Sequence, residues 1–300
     1  MINLKHNDKL TFIINMHLDF GEALTGGIMA CHYLAYKLAE RGHYVYMFAN
    51  PEYPHENIYR IPSSKTRNDG FLTFTWEEMR FDPDKTVVIY TEIDRGNPFG
   101  IKNVTRWLLY HSSEEIESGW GENDQVFNYM SFNTVNKDTT GTLTVVDFHL
   151  EDLKDLHNTR SGFCHTLHKD TPHNYQEILD VFQSQDLGEW KSAGAYTYLR
   201  NFFNKYKYFL TFDNNTFYAV AASLCGCTSI ILNDTKYNSP EEFREKNKVF
   251  KYGVAYGMKD IDWAISTKHL VLQHLLDVQR EYDKTVDSFI QFWNNKLNIC

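Results

Sequence analysis

The chain has 300 residues, 42% of them hydrophobic, and a formal net charge of -9. That length allows two ordinary domains with real cores, and the acidic balance argues against a general nucleic-acid binder. No run of about 18 apolar residues occurs and the first residues lack a signal-peptide core, so the expected setting is soluble and cytoplasmic, with no transmembrane segment.

The five cysteines, Cys31, Cys164, Cys225, Cys227 and Cys300, are an odd count in no zinc spacing. They read as buried free thiols of a reducing compartment. Residues 10–16 predict a central strand, and His17 lies in the loop after it. Gly26 and Gly27 open a helix to about residue 40, with Ile28, Cys31, Leu34, Ala35 and Leu38 on one stripe. A strand at 44–49 completes a βαβ unit whose strand-to-helix turn carries two glycines, where a ligand can approach the backbone. The spacing fits neither a dinucleotide fingerprint nor a P-loop. Residues 51–80 read as irregular, with one candidate strand at 71–75. A buried strand at 86–90 leads into the turn-rich loop 91–100, which holds Glu92. Glu92 is a candidate base or hydroxyl acceptor, against the alternative of a solvated loop glutamate. Strands are expected at 106–111 and 125–130, and the polar stretch 131–141 reads as a seam.

In the second half, a short strand at 161–167 has Arg160 and Lys169 at its ends. Basic residues there suit a diphosphate, or are ordinary surface charge. Helices are expected at 175–182 and 193–205. A strand at 206–212, a turn through Asp213, Asn214 and Thr216, a helix to Leu224 and a strand at 228–232 form a second βαβ unit. Its turn lies at the carboxyl end of a parallel strand and the amino end of a helix, where ligands of open α/β sheets bind and anions are favoured. The structural alternative is that Asp213 and Thr216 only cap the helix. Ser239, Pro240, Glu241 and Glu242 form a helix-start signal, which accounts for both glutamates without function. A short strand or turn at 252–257 and helices at 260–284 and 286–297 complete the pattern. His165, His168 and His173 lie beside a proline turn, a poor metal cage.

Three segments carry a family resemblance. Tyr90-Thr-Glu92-Ile-x-x-Gly96-Asn97-Pro98-Phe-Gly100, continuing to Arg106-Trp107-Leu-Leu, is the first. Leu210-Thr-Phe-Asp213-x-x-Thr216-Phe, continuing to Cys225-Gly226-Cys227-x-Ser229, is the second, and Arg160-Ser-Gly162-x-Cys164 with Lys169 is the third. Together they resemble the GT-B type glycosyltransferases of bacterial and viral polysaccharide synthesis (capsule or virion glycan). The chain departs from that pattern at Thr91, at Tyr110-His111 and at Asn233.

The resemblance implies an α/β GT-B fold of two facing Rossmann-like domains with parallel sheets. Residues 1–138 would form the acceptor side, 139–275 the nucleotide-sugar domain, and 276–300 a helix crossing back to the first domain. It implies transfer of a sugar from a UDP- or GDP-type donor to a glycan hydroxyl, with no metal and no other cofactor. Gly26, Gly27, Arg160, Lys169, Asp213, Asn214, Thr216, Glu241 and Glu242 are expected at the donor, and Glu92 and His17 are the catalytic candidates at the acceptor. Without a paired-glutamate motif, assistance by the leaving phosphate favours retention of configuration. Two other readings stay open: an epimerase-like enzyme acting on nucleotide sugars, and a non-catalytic glycan-binding protein on the same scaffold.

Overall fold

The computed structural model describes residues 9–15, 26–48, 82–130, 135, 137–167, 170–188 and 195–299, and the backbone of two short strands, Ile58–Arg60 and Leu72–Phe74. The architecture is α/β with two sheets built mainly of parallel strands, compatible with two Rossmann-like domains. The chain divides into two compact units, Met1–Val146 with Glu281–Cys300, and Asp147–Arg280.

In the first unit the elements are β1 (Thr11–Asn15), α1 (Gly26–Glu40), β2 (Tyr44–Phe48), β3 (Ile58–Arg60), β4 (Leu72–Phe74), β5 (Thr86–Thr91), β6 (Asn103–Leu108), α2 (Glu114–Glu117), β7 (Gln125–Asn128) and β8 (Gly141–Thr142). The sheet order is β4-β3-β2-β1-β5-β6-β7-β8, parallel except that β3 runs antiparallel to both of its neighbours. The central strands are near-continuous apolar runs because both of their faces are buried. Phe12 and Ile14 of β1 pack with Leu34 and Leu38 of α1 and with Phe289 and Trp293. Ile13 points the other way, toward Val88, Tyr90 and Ile101.

The second unit contains β9 (Phe163–His165), α3 (Tyr175–Phe182), β10 (Gln185–Asp186), α4 (Ala195–Phe203), β11 (Tyr208–Thr211), α5 (Phe217–Leu224), β12 (Thr228–Ile231), α6 (Pro240–Lys246), β13 (Val254–Tyr256) and α7 (Ile261–Thr267). The last helix, α8 (Val271–Lys296), begins in this unit and ends in the first. All five strands are parallel, in the order β10-β9-β11-β12-β13. Leu179 of α3 and Ala264 of α7 meet Leu210 and Ile230 on one face. On the other face Phe203 of α4 packs edge-on against Phe209, and α5 lies close on β12, with the Ser229 hydroxyl 2.6 Å from the Ala219 carbonyl. Small residues in α5 permit that approach. The unit is therefore doubly wound.

Several boundaries differ from expectation. Leu143 and Val145 join the first core, so the seam follows Val146 and not residue 138. The strand expected at 106–111 is β6, which starts at Asn103 and stops at Leu108. It stops there because Leu109 donates its N–H to the Glu92 carboxylate, 3.0 Å away. The helices expected to break at residue 285 break instead at 268–270, and α8 is continuous from Val271. Thr267 marks the break: its hydroxyl donates to the Trp263 carbonyl at 2.7 Å and accepts the Gly253 N–H at 3.2 Å. The strands β3 and β10 were not expected, being three and two residues long.

Trp293 is buried, and its indole N–H donates to Thr105 Oγ1 at 3.1 Å. Trp293→Ala removes that bond and leaves a large cavity, so urea unfolding is expected to show a loss of about 3–5 kcal/mol.

Candidate functional site at a strand-to-helix turn

In the second unit, counting strands in chain order, the sheet reads 2-1-3-4-5. Its topological switch point therefore lies between the carboxyl ends of β9 and β11. The turn from β11 to α5 sits at that point. Its side chains build it. Asp213 Oδ1 accepts the Asn215 N–H at 2.9 Å, and the Asp213 N–H donates to Thr211 Oγ1 at 3.1 Å. Thr216 is extended and is the N-cap of α5, its hydroxyl accepting the Tyr218 N–H at 3.3 Å. The Phe217 N–H, first in the helix, has no intrahelical partner by geometry. Thr216 thus caps α5, and Asp213 closes the turn in front of it. The cap leaves the Thr216 hydroxyl proton available for donation.

Asn214 is different. Its side chain is 1% exposed, and neither Nδ2 nor Oδ1 has a hydrogen-bond partner. A buried amide unsatisfied at both ends costs about 1–3 kcal/mol per group and calls for an explanation. A ligand oxygen at the amino end of α5 would supply one.

On β9, in register with Leu210, His165 is buried and its Nδ1 lies 2.9 Å from Ser184 Oγ. Burial holds its pKa below the ordinary value, so the ring is neutral near pH 7. A second histidine, His149, stacks on Tyr196 at 3.5 Å and meets Phe217 edge-on, with Asp147 and Asp152 oxygens 3.8 and 3.6 Å from Nδ1. It joins the first residues of α4 and α5. No spacing in the sequence singles it out, because Tyr196 and Phe217 are far from it along the chain.

Arg160 is not part of this turn. It precedes β9, whereas Asp213 follows the parallel neighbour β11, so the two lie at opposite edges of the sheet. Arg160 Nη2 donates to the Cys225 carbonyl at 2.8 Å, to Asn204 Oδ1 at 2.6 Å and to Asp155. Cys225 is the C-cap of α5, and an eight-residue helix separates the two ends by about 12 Å. The guanidinium therefore complements the carboxyl end of α5, and the expectation that it neutralises a phosphate at the amino end is corrected. Burial raises the Asp155 carboxyl, but the Arg160 hydrogen bond outweighs it and the net pKa is lowered.

Ser239 is the N-cap of α6, and Glu242 stands three residues after it. Glu242 accepts from Asn238 N at 2.9 Å and Asn238 Nδ2 at 2.7 Å, while its own N–H donates to Ser239 Oγ at 3.2 Å. Asn238 holds its pKa low. Glu241 is exposed and approaches Arg244, whose main partner is Asp260 at 2.6 Å. Both glutamates serve the start of α6. Lys169 and His17 lie outside the described residues.

The remaining candidates belong to the first unit. Its parallel strands β2-β1-β5-β6-β7 repeat the same order, and α1 starts beside the switch point. A Cβ on Gly26 would meet nothing within 4 Å, and one on Gly27 would only touch Leu109. Neither glycine is required by crowding among the described residues. The buried hub here is Asp94, which accepts from Asn15 Nδ2 at 2.6 Å and from Thr91 N at 2.8 Å. It stands at an unspecified position of the first family segment. Glu92 is not a solvated glutamate. Burial raises its pKa against the opposing backbone N–H groups of Glu92, Leu109 and Tyr110. Arg106 is fully buried, 2.7 Å from Asp124, 4.8 Å over the Tyr90 ring and bonded to the Gly96 carbonyl. It holds the loop after β5 in shape.

Among the described residues no group of three or more His, Cys, Asp or Glu side chains has metal-binding geometry, and no helix is long and apolar enough to cross a membrane. No protein-family model matches the chain, and no curated protein matches it.

Arg160→Ala is expected to destabilise the fold by about 2–4 kcal/mol in urea unfolding, because Asp155, Asn204 and the Cys225 carbonyl all lose a donor. Ligand affinity at the α5 turn is expected to stay unchanged in calorimetry. For Glu92, the raised pKa means that its contribution to stability is fully present below its ordinary value of 4.5 and is lost as pH rises through the raised one. Glu92→Gln removes that loss while keeping an oxygen for Leu109. The melting temperature of the variant relative to the parent should therefore be higher at neutral pH than at about pH 4.

Proposed function

We propose that the chain is a glycosyltransferase of the GT-B type, moving a sugar from a nucleoside-diphosphate donor to a glycan hydroxyl. Sequence motifs supply the reaction class, and the unsatisfied Asn214 amide at the amino end of α5 is the observation that carries the donor site. In this reading the Asn214 Nδ2 and the first N–H groups of α5 donate to the diphosphate, where the helix dipole also favours negative charge. Thr216 adds its hydroxyl proton, and Asp213 holds the turn. These donors stabilise the charge that develops as the sugar–phosphate bond breaks. The reading needs no protein-bound metal. Glu92 keeps its proposed place at the acceptor, where a carboxyl oxygen can accept a hydrogen bond from the acceptor hydroxyl. His17 and Lys169 keep their proposed places at the acceptor and the phosphate. Glu241 and Glu242 are not needed at the donor. The leaving phosphate can assist the incoming hydroxyl, which favours retention, and the proposed setting is the cytoplasm.

The test is a thermal-shift panel of UDP, GDP, TDP and CMP, followed by calorimetry. A ligand at 100 times its dissociation constant should stabilise the fold by about 2.7 kcal/mol. Asn214→Leu, which keeps the branched shape without the polar atoms, is expected to fold and to bind the nucleotide at least tenfold more weakly. No shift with any nucleotide, or a shift untouched in Asn214→Leu, would sink the donor-site assignment.

A further inference from the structure

Tyr110 is 51% exposed and follows the end of β6. Strands β5 and β6 are parallel, with Thr91 paired to Trp107, so the loops after both leave the carboxyl edge of the first sheet at one level. Glu92 ties them together: its half-buried carboxyl accepts the main-chain N–H groups of Leu109 and Tyr110. One residue thus supplies an N–H to the carboxyl and a ring to the surface, which keeps ring and carboxyl within one sugar length in any rotamer. His111 meets the Tyr110 ring edge-on at 4.4 Å and braces it. The amino end of α1 is close by, since a Cβ on Gly27 would stand 3.4 Å from Leu109 Cδ1. Ligands of open α/β sheets bind at such an edge.

A single exposed aromatic ring is ordinary on a surface. This one stands beside a carboxyl whose donors are main-chain N–H groups, with no cation among the groups that hold it. Three N–H groups leave a carboxylate acceptor capacity to spare, and an anion is disfavoured beside it. A neutral ring with C–H bonds on a face and hydroxyls around its rim suits both neighbours. Its C–H face lies against the electron-rich face of tyrosine, and a rim hydroxyl reaches the carboxyl. Tyr110 and His111 are also where the chain leaves the first family segment, so the family pattern accounts for neither.

We infer that Tyr110 is the stacking platform of an acceptor subsite for a neutral hexopyranose, with the Glu92 carboxyl accepting a hydrogen bond from one of its hydroxyls. The inference rests on the glycosyltransferase reading and narrows it: the sugar that receives the transferred residue is uncharged.

The methyl glycosides of glucose, galactose, mannose and glucuronic acid are titrated into the full chain, and binding is read by saturation-transfer NMR. At least one neutral glycoside is expected to bind, with transfer concentrated on the C–H protons of one ring face, and the glucuronide is expected to bind more weakly than the glucoside. Tyr110→Ala should weaken binding at least about fivefold, whereas Tyr110→Phe should retain it. Both variants should keep the parent's melting temperature and its nucleotide-induced shift. No binding of a neutral glycoside, tighter binding of the glucuronide, or binding that Tyr110→Ala leaves unchanged overturns the inference, while a nucleotide shift would still uphold the donor site. Glycoside binding that Tyr110→Ala abolishes, with no shift for any nucleotide, upholds the sugar site and removes the transferase reading.

Discussion

A parallel strand can be entered only from the edge at which its neighbour was entered. That constraint decides which side chains of each unit can meet. In the second unit it sends every strand out at the edge where Asp213, Asn214 and the start of α6 lie, and it returns every helix to the edge where Arg160 lies. Residues brought near one another by spacing alone can therefore be separated by the length of α5. The Arg160 guanidinium at one end of that helix and the unsatisfied amide at the other are two consequences of the same winding.

The internal arginines share a pattern. Arg106, Arg160 and Arg244 each bond a carboxylate, and the first two also bond main-chain carbonyls. A planar group with five donors can serve several acceptors at once, which lysine cannot. Two of these arginines stand in segments that carry the family resemblance. Much of the likeness therefore rests on residues that shape loops and helix ends. Asn214 stands inside such a segment too, but at a position the pattern leaves open.

The strands of both cores were legible because burial on two faces demands apolar runs, as in Phe12 to Ile14 and Val87 to Tyr90. Helix starts were legible where chemistry is local: the Thr216 and Ser239 caps bond neighbours two and three residues away. The seam was not, because Leu143 and Val145 continue an apolar alternation that either unit could use. The side on which Arg160 falls was legible in principle, since it precedes one parallel strand and Asp213 follows the next. What no pattern reveals is the burial of Asn214 between Asp213 and the exposed Asn215. Three similar side chains in a row are told apart only by the backbone path of the turn.

The helix α8 leaves one more mark on the molecule. Val286, Phe289 and Trp293 complete the core around β1, yet they are translated after every residue of the second unit. The first sheet thus lacks part of its apolar cover until the chain has been made as far as Trp293. A domain that usually folds first must here wait, with Phe12 and Val45 incompletely shielded, for Val286, Phe289 and Trp293 to emerge.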